Sequence, residues 1–460
     1  MTRVLAIAGL TFREGIRMRI VLVFLIVLGF VVLRLPTALR GDETLTGRVQ
    51  TFLSYSLGAL SLLAGLATIF LSCASLTTEL RTRSLHLLVT KPVSRFGILA
   101  GKWLGVNLLN LLIVALCGVA IYALALYIRR QPEKFERDRL NLRDAVWTAR
   151  LAATPTPPDF EQAAREYVAG QIKQGHTFMD EEAAVREYVK QRREGWLSLR
   201  PGEARSYRFE GLRPPARADT VYQVRFKARG TYPLPPDELL PIRWMIVDPQ
   251  TGAVLDSIDT SERAAERHQF LLRAKNVVKD GVALLGVGNL PTPTNRSTVY
   301  FEGENSLELL YIAGTFEGNY VKALLLIVFR LAFLSAAGVF FSTFVSFPVA
   351  CFCVLSLYAF GLGLPFWLES IGAELTVVNP KVDPYGSWGP AVRSVLVPLL
   401  ILVLPNFSAY DGISRLIDGG YITYGLLAIA GLHTLVYGMA LVGLPGWLIF
   451  RAREVAEVIV

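Results

Sequence analysis

Cysteine and histidine are scarce: four of each stand in 460 residues. His86, His176, His268 and His433 are scattered, and no Cys/His spacing of a metal site occurs. Cys73, Cys117, Cys351 and Cys353 all lie inside apolar runs, which leaves no disulfide framework elsewhere. No metal is therefore expected. Charge is also short, at 18% against about a quarter in an ordinary soluble domain. The shortage is local, because residues 129–319 hold 28 Lys/Arg and 27 Asp/Glu while the rest is strongly apolar. The nucleotide-cradling pattern G-x-x-x-x-G-K-[ST] is missing. At Gly101–Lys102, Phe96 stands where the first glycine belongs and Trp103 follows the lysine. H-E-x-x-H and G-x-S-x-G are missing too. No catalytic residue and no bound cofactor are expected on this chain.

What is present is a positive charge with a location. The formal net charge is +9, and the segments 1–19, 79–102 and 451–460 hold 11 basic against 4 acidic residues. Basic clusters flanking apolar runs are the positive-inside signal of membrane proteins. A nucleic-acid footprint needs basic residues gathered on a folded domain, and the central block is nearly balanced, so nucleic acid is not expected as a partner.

A hydrocarbon core needs about 20 apolar residues in helix. Six stretches qualify: Ile20–Leu39, Phe52–Thr77, Trp103–Ile128, Val321–Val345, Phe347–Leu368 and Ile422–Phe450. A shorter run within 393–405 carries Pro398 and reads as re-entrant or interfacial. Arg3, Arg13, Arg17 and Arg19 precede the first run and no small-residue cleavage site follows it, so it reads as a span rather than a cleaved signal. Six spans and three basic clusters put both termini and the loop 78–102 in the cytoplasm and residues 129–319 outside. Thr2–Arg19, with Val4, Leu5, Ile7, Ala8, Leu10 and Phe12, fits an amphipathic helix on the membrane surface, or else an extension of the first span.

The central block has two parts. Residues 130–197 read as charged helices, and residues 199–312 as short strands. Tyr222, Val224, Phe226 and Ala228 alternate with Gln223, Arg225 and Lys227, the period of a half-buried strand. A hairpin is expected around Asp248–Gly252, with further strands at His268–Arg273, Val282–Val287, Thr298–Phe301 and Leu307–Ile312. The fold class is an α-helical polytopic membrane protein with six transmembrane helices. Into it is inserted an extracytoplasmic α+β domain containing a β-sandwich. By domain, residues 1–128 carry the N-terminal helix and spans 1–3, 129–319 the external domain, and 320–460 spans 4–6. Trp196, Tyr222 and Trp244 could stack on a carbohydrate or fill the core.

The loop "TTELRTRSLHLLVTKPVSRFGILAGK" combines a Leu-rich helical pattern with basic residues, broken at Lys91–Pro92. Read on pattern alone, it is either a basic loop obeying the positive-inside rule or a lever between two spans. Its acidic Glu79, basic Arg81 and Arg83, the Leu-rich stretch Leu85–Leu88, the "TKPVSR" turn at Thr90–Arg95 and the entering Gly101–Lys102 resemble the same loop of type-2 ABC transporter permeases. The terminal "WLIFRAREV" resembles that family's last span and tail. The insertion of about 190 residues departs from the short external loop common in the family.

The resemblance implies a permease subunit of an ATP-binding-cassette exporter in the cell's inner (plasma) membrane. It implies a separate cytoplasmic ABC ATPase as partner, with ATP and Mg held there, and a second permease chain, like or unlike. Glu79, Arg81, Arg83, Thr90, Lys91 and Arg95 are the residues it assigns to ATPase coupling. Arg330, inside the fourth span without an acidic partner in any span, is either packed against carbonyls or part of a substrate path. The rival readings are a signalling or mechanotransmitting membrane protein with an external sensor, and a membrane-embedded enzyme using carboxylates of 369–421.

Overall fold

The computed structural model describes residues 2–38, 44–82, 94–130, 142–143, 146–175, 180–212, 222–231, 239–272, 278–292, 295–301, 306–376 and 407–452. The chain divides into a helical unit, Met1–Thr148 with Thr315–Val460, and a strand-rich unit, Ala149–Gly314.

In the helical unit, α1 (Thr2–Arg17) and α2 (Arg19–Ala38) are separate helices bent by 60°. α3 (Leu45–Arg81) starts where the Thr44 hydroxyl accepts from the Gly47 amide, satisfying one of the donors a helix start leaves open. α4 (Arg95–Arg130) follows, and the chain returns from the strand-rich unit into α7 (Phe316–Phe341), capped by Thr315. α8 (Phe347–Thr376) and the short α9 (Gly412–Ile417) come next. The last apolar run is α10 (Tyr424–Gly431), a π-helical turn (Leu432–Tyr437) and α11 (Gly438–Ala452), with Pro445 inside.

Four described helical stretches are long and apolar enough to cross a membrane: Leu45–Arg81, Arg95–Arg130, Phe316–Phe341 and Phe347–Leu364. A fifth results if the bent α1–α2 pair forms one span. The run Ile422–Phe450, read as the sixth span, is helical from Tyr424 to Ala452, with the π-helical turn inside it. The re-entrant segment expected within 393–405 lies outside the described residues.

α3 is the axis of the unit. Ser61, Gly65, Thr68, Ser72 and Ser75 recur every three or four residues and are all buried, giving α3 a narrow face of small and polar residues. Gly338 of α7 meets the Ser72 side chain so closely that a Cβ has no room there. Polar groups on this face find partners in neighbouring helices. The Thr68 hydroxyl donates to Asn110 Oδ1 of α4 at 2.9 Å; away from this face, between α4 and α7, Asn107 Nδ2 donates to the Ser335 hydroxyl at 2.9 Å. In hydrocarbon no water would satisfy them, so such pairs fix which helices meet. Lys322, at the start of α7, is buried. It donates to the Ile422 carbonyl at 2.9 Å and lies 4.0 and 3.9 Å from the ring centres of Tyr421 and Tyr424.

The strand-rich unit contains α5 (Phe160–Lys173) and α6 (Glu181–Trp196), capped by Asp159 and Asp180 and joined through Ala164, Val168 and Val185. Its strands are β1 (Ala149–Ala153), β2 (Ser198–Leu199), β3 (Ala204–Phe209), β4 (Tyr222–Gly230) and β5 (Leu239–Val247). They continue with β6 (Val254–Arg263), β7 (Arg267–Leu272), β8 (Ala283–Asn289), β9 (Val299–Phe301) and β10 (Leu307–Gly314). Among the described residues they form two antiparallel sheets: β1-β10-β4-β9-β2 with β7 also on β4, and β3-β8-β5-β6.

Both sheets feed one core, in which Val224, Phe226, Phe301 and Leu309 of the first join Tyr207, Trp244, Ile246 and Val287 of the second. Tyr222 and Trp244 are core residues, and Trp196 packs on Tyr207 at 5.2 Å. The expected hairpin is β5–β6, its turn held by Asp248, whose carboxylate accepts from the Gln250 amide at 2.9 Å and from Lys279 at 2.6 Å. Two departures stand out. Ala149–Ala153 falls in the part read as helical, yet it is a strand pairing with Leu309–Gly314, a partner more than 150 residues away that local pattern does not reveal. Gln223, on the face expected to be polar, is buried and accepts a hydrogen bond from the buried Arg150 at 2.7 Å.

Candidate functional site

Three of the six residues assigned to coupling, Glu79, Arg81 and Arg95, are described; Arg83, Thr90 and Lys91 lie outside the described residues. Glu79 stands in the last turn of α3 and Lys102 in the second turn of α4. Their side chains meet at 2.9 Å, and Lys102 Nζ also donates to the Ser75 carbonyl at 2.6 Å. Lys102 is only 1% exposed. An ammonium removed from water is tolerable when a carboxylate and a second acceptor replace the water it loses. The pair therefore braces the end of α3 against the start of α4, on either side of residues 83–93 in the sequence. Glu79 Oε2 is buried without a hydrogen-bond partner.

α1 seats on this brace. A Cβ at Gly101 would come within 2.8 Å of the Ile7 side chain, and one at Gly105 within 2.5 Å of the Ala8 carbonyl oxygen. The two glycines, one turn apart and flanking Lys102, let the α1 backbone lie directly against α4. Ile7, Ala8 and Thr11 of α1 are buried, while Leu5 and Leu10 are exposed. The amphipathic face expected of α1 thus divides, one part packing on α4 and the other remaining open. Glu14, also on α1, is half-buried. Burial raises its carboxyl above the usual range, Lys102 opposes this, and the Glu79 carboxylate adds to it.

Arg95 ties in the last helix. Its guanidinium donates at 2.7 Å to the carbonyls of both Phe450 and Arg451, the open acceptors at the C-terminal end of α11. Phe96 meets Trp447 edge to face at 6.3 Å. Ile7, Leu76, Ile98, Leu99, Val339 and Phe450 close into one apolar cluster. Five helices, α1, α3, α4, α7 and α11, therefore converge where the two helices flanking 83–93 end and begin. Arg81 is exposed and lines a cavity of about 800 Å³ with Met18, Thr77, Phe344 and Phe347.

Arg330 lies apart from this site. It donates to the Ser61 hydroxyl at 3.0 Å and the Phe407 carbonyl at 3.2 Å, with its guanidinium 5.4 Å from the Phe407 ring centre. A hydroxyl and a carbonyl thus stand where water would otherwise meet the guanidinium.

The sequence reading quotes Lys102 as the end of a motif and says nothing of Gly105 or Ser75. The signal is in "GKWLG": a lysine at the head of an apolar span requires an acid, and the nearest upstream acid is Glu79. The glycines at spacing four mark a close helix approach.

Residues 5–134 match the family described as ABC-2 family transporter protein. No curated protein and no solved structure matches the chain. The matched stretch takes in α1–α4, hence Glu79, Lys102, Gly101, Gly105 and Arg95. The N-terminal helices are therefore similar to those of the ABC-2 transporter family.

Proposed function

We propose that this chain is the permease subunit of an ATP-binding-cassette exporter. In this reading it crosses the membrane six times, with both termini in the cytoplasm of the cell and residues 149–314 outside as a β-sandwich flanked by two helices. A second permease chain completes the pathway. A separate cytoplasmic ATPase holds ATP and Mg and grips residues 83–93.

The observation that carries the proposal is the brace of Glu79 and Ser75 on Lys102. A lever transmits force only if its roots are stiff, and here both roots are joined to each other, to α1 through the two glycines and to α11 through Arg95. A push on 83–93 then moves five helices together instead of bending one loop. Arg81, Arg83, Thr90 and Lys91 are the residues left to contact the ATPase, while Glu79 and Arg95 stiffen what lies behind them. Arg330, held by Ser61 and Phe407, is a structural residue in this account.

The test is charge reversal in the loop. Arg83→Glu with Lys91→Glu should leave membrane insertion intact and break the dependence of transport on ATP hydrolysis. Unchanged coupling in that double variant sinks the proposal. A signalling role would use the same lever with a different motor. Isolation of the tagged chain separates the two, since a kinase in place of an ATPase would decide for signalling.

A further inference from the structure

α4, α7 and α11 leave between them a crevice of about 70 Å³. Its walls are apolar, formed by Phe96 and Trp103 of α4, Val339 and Phe340 of α7, and Met439 and Gly443 of α11. α4 and α7 are both long and apolar enough to cross a membrane, so the medium facing the crevice is hydrocarbon. One glycine closes it and another keeps it open. A Cβ at Gly446 would press to 2.7 Å of Phe340, whereas one at Gly443 would meet nothing within 4 Å.

Charge gathers at one end. Arg95 lies against the carbonyls of Phe450 and Arg451, and the exposed Arg451 lies 5.7 Å over the Trp447 ring. Trp447, beneath Arg451, meets Phe96 of the crevice wall edge to face, the kind of amphipathic band that aromatic side chains make at the headgroup level. From Gly443 to Arg451 is eight residues of helix, about 12 Å. That spacing sets a cationic edge above an apolar slot, as a phosphate lies above the first part of its acyl chain.

We infer that this crevice seats the first methylenes of one acyl chain of an anionic phospholipid whose phosphate rests on Arg451 and Arg95. Of the occupants an apolar slot could take, the two guanidinium groups at its mouth select this one. The inference rests on the membrane reading but not on transport, so its test reads lipid rather than ATP-driven movement.

The full-length protein is assembled in nanodiscs with equal phosphatidylglycerol and phosphatidylcholine, released into detergent, and weighed intact by native mass spectrometry. Phosphatidylglycerol should be retained at least about tenfold over phosphatidylcholine, a difference of about 1.4 kcal/mol. Arg451→Gln should cut that preference about fivefold, the effect of one basic residue near a lipid surface. Gly443→Leu, which fills the slot, should abolish retention. Gly29→Leu on α2, where an added Cβ also meets nothing within 4 Å, should not. Equal retention of both lipids overturns the inference, as does full retention in Gly443→Leu. Loss of a second copy of the chain rather than of lipid from Gly443→Leu also overturns it, because the crevice is then a helix-docking seam. If Gly443→Leu fails to fold, Arg451→Gln, altered only at an exposed side chain, decides.

Discussion

Replacing Lys102 by methionine keeps the length of its apolar stem and removes the charge. Glu79 then keeps a negative charge at the junction of α3 and α4 with no cation on it, and the Ser75 carbonyl loses its donor. Breaking a buried ion pair from one side costs about 3–5 kcal/mol. The Glu79 side chain is 19% exposed, so water reaches part of it and the lower end, about 3 kcal/mol, applies. Removing both charges is different. Lys102→Met combined with Glu79→Leu leaves no orphan charge, and apolar replacement of a buried pair is often neutral. The expected order of stability is therefore wild type close to the double variant, with Lys102→Met well below both. Thermal unfolding of the purified protein in detergent, run for all four members of the mutant cycle, measures it. A single variant as stable as wild type, or a double variant below both singles, refutes the claim that the pair braces the two helices.

Gly105→Val forces a side chain into the Ala8 backbone and should lift α1 from α4 at a cost of about 1–3 kcal/mol. Faster hydrogen exchange confined to residues 4–11 of α1 reports it. Arg95→Ala should free the end of α11 at a cost of about 1.5–3 kcal/mol, the scale of a hydrogen bond from a charged donor. Hydrogen exchange confined to 447–452 should rise. In the strand-rich unit, the Lys279 ammonium first, and then the Gln250 amide, hold the Asp248 carboxyl at about 2, below its ordinary 3.8. A lowered carboxylate stabilises the fold above its unfolded value and loses that contribution as pH falls through the folded one. Asp248→Asn should therefore flatten the acid limb of stability between about pH 4 and 2, followed by near-ultraviolet circular dichroism.

The parts legible in sequence were those with a local cause. Continuous apolar runs made α3, α4, α7 and α8 readable as long helices, since nothing else keeps 20 greasy residues in one element. Alternation in Tyr222–Ala228 gave β4, and turn chemistry at Asp248–Gly252 gave the β5–β6 hairpin. β1 was not legible, because Ala149–Ala153 has little strand preference of its own and takes its form from β10. At the candidate site the sequence pointed to the segment but not to its interior. Glu79 and Arg95 read as charges offered to a partner. The fold turns the first onto Lys102 and the second onto two carbonyls, long-range pairings that no spacing rule encodes. The π-helical turn at Leu432–Tyr437 was equally silent: His433 and Thr434 interrupt an otherwise apolar run, but no spacing there distinguishes a π turn from an α-helix.

The central claim is that a motor outside this chain drives it through residues 83–93. The most direct measurement is gentle isolation of the tagged chain from its native membrane, followed by assay of ATP hydrolysis in the purified assembly. The account predicts that an ABC ATPase travels with the wild-type chain and is lost or slowed when Arg83 and Lys91 are reversed in charge. An intact native assembly without any nucleotide-hydrolysing companion would contradict it.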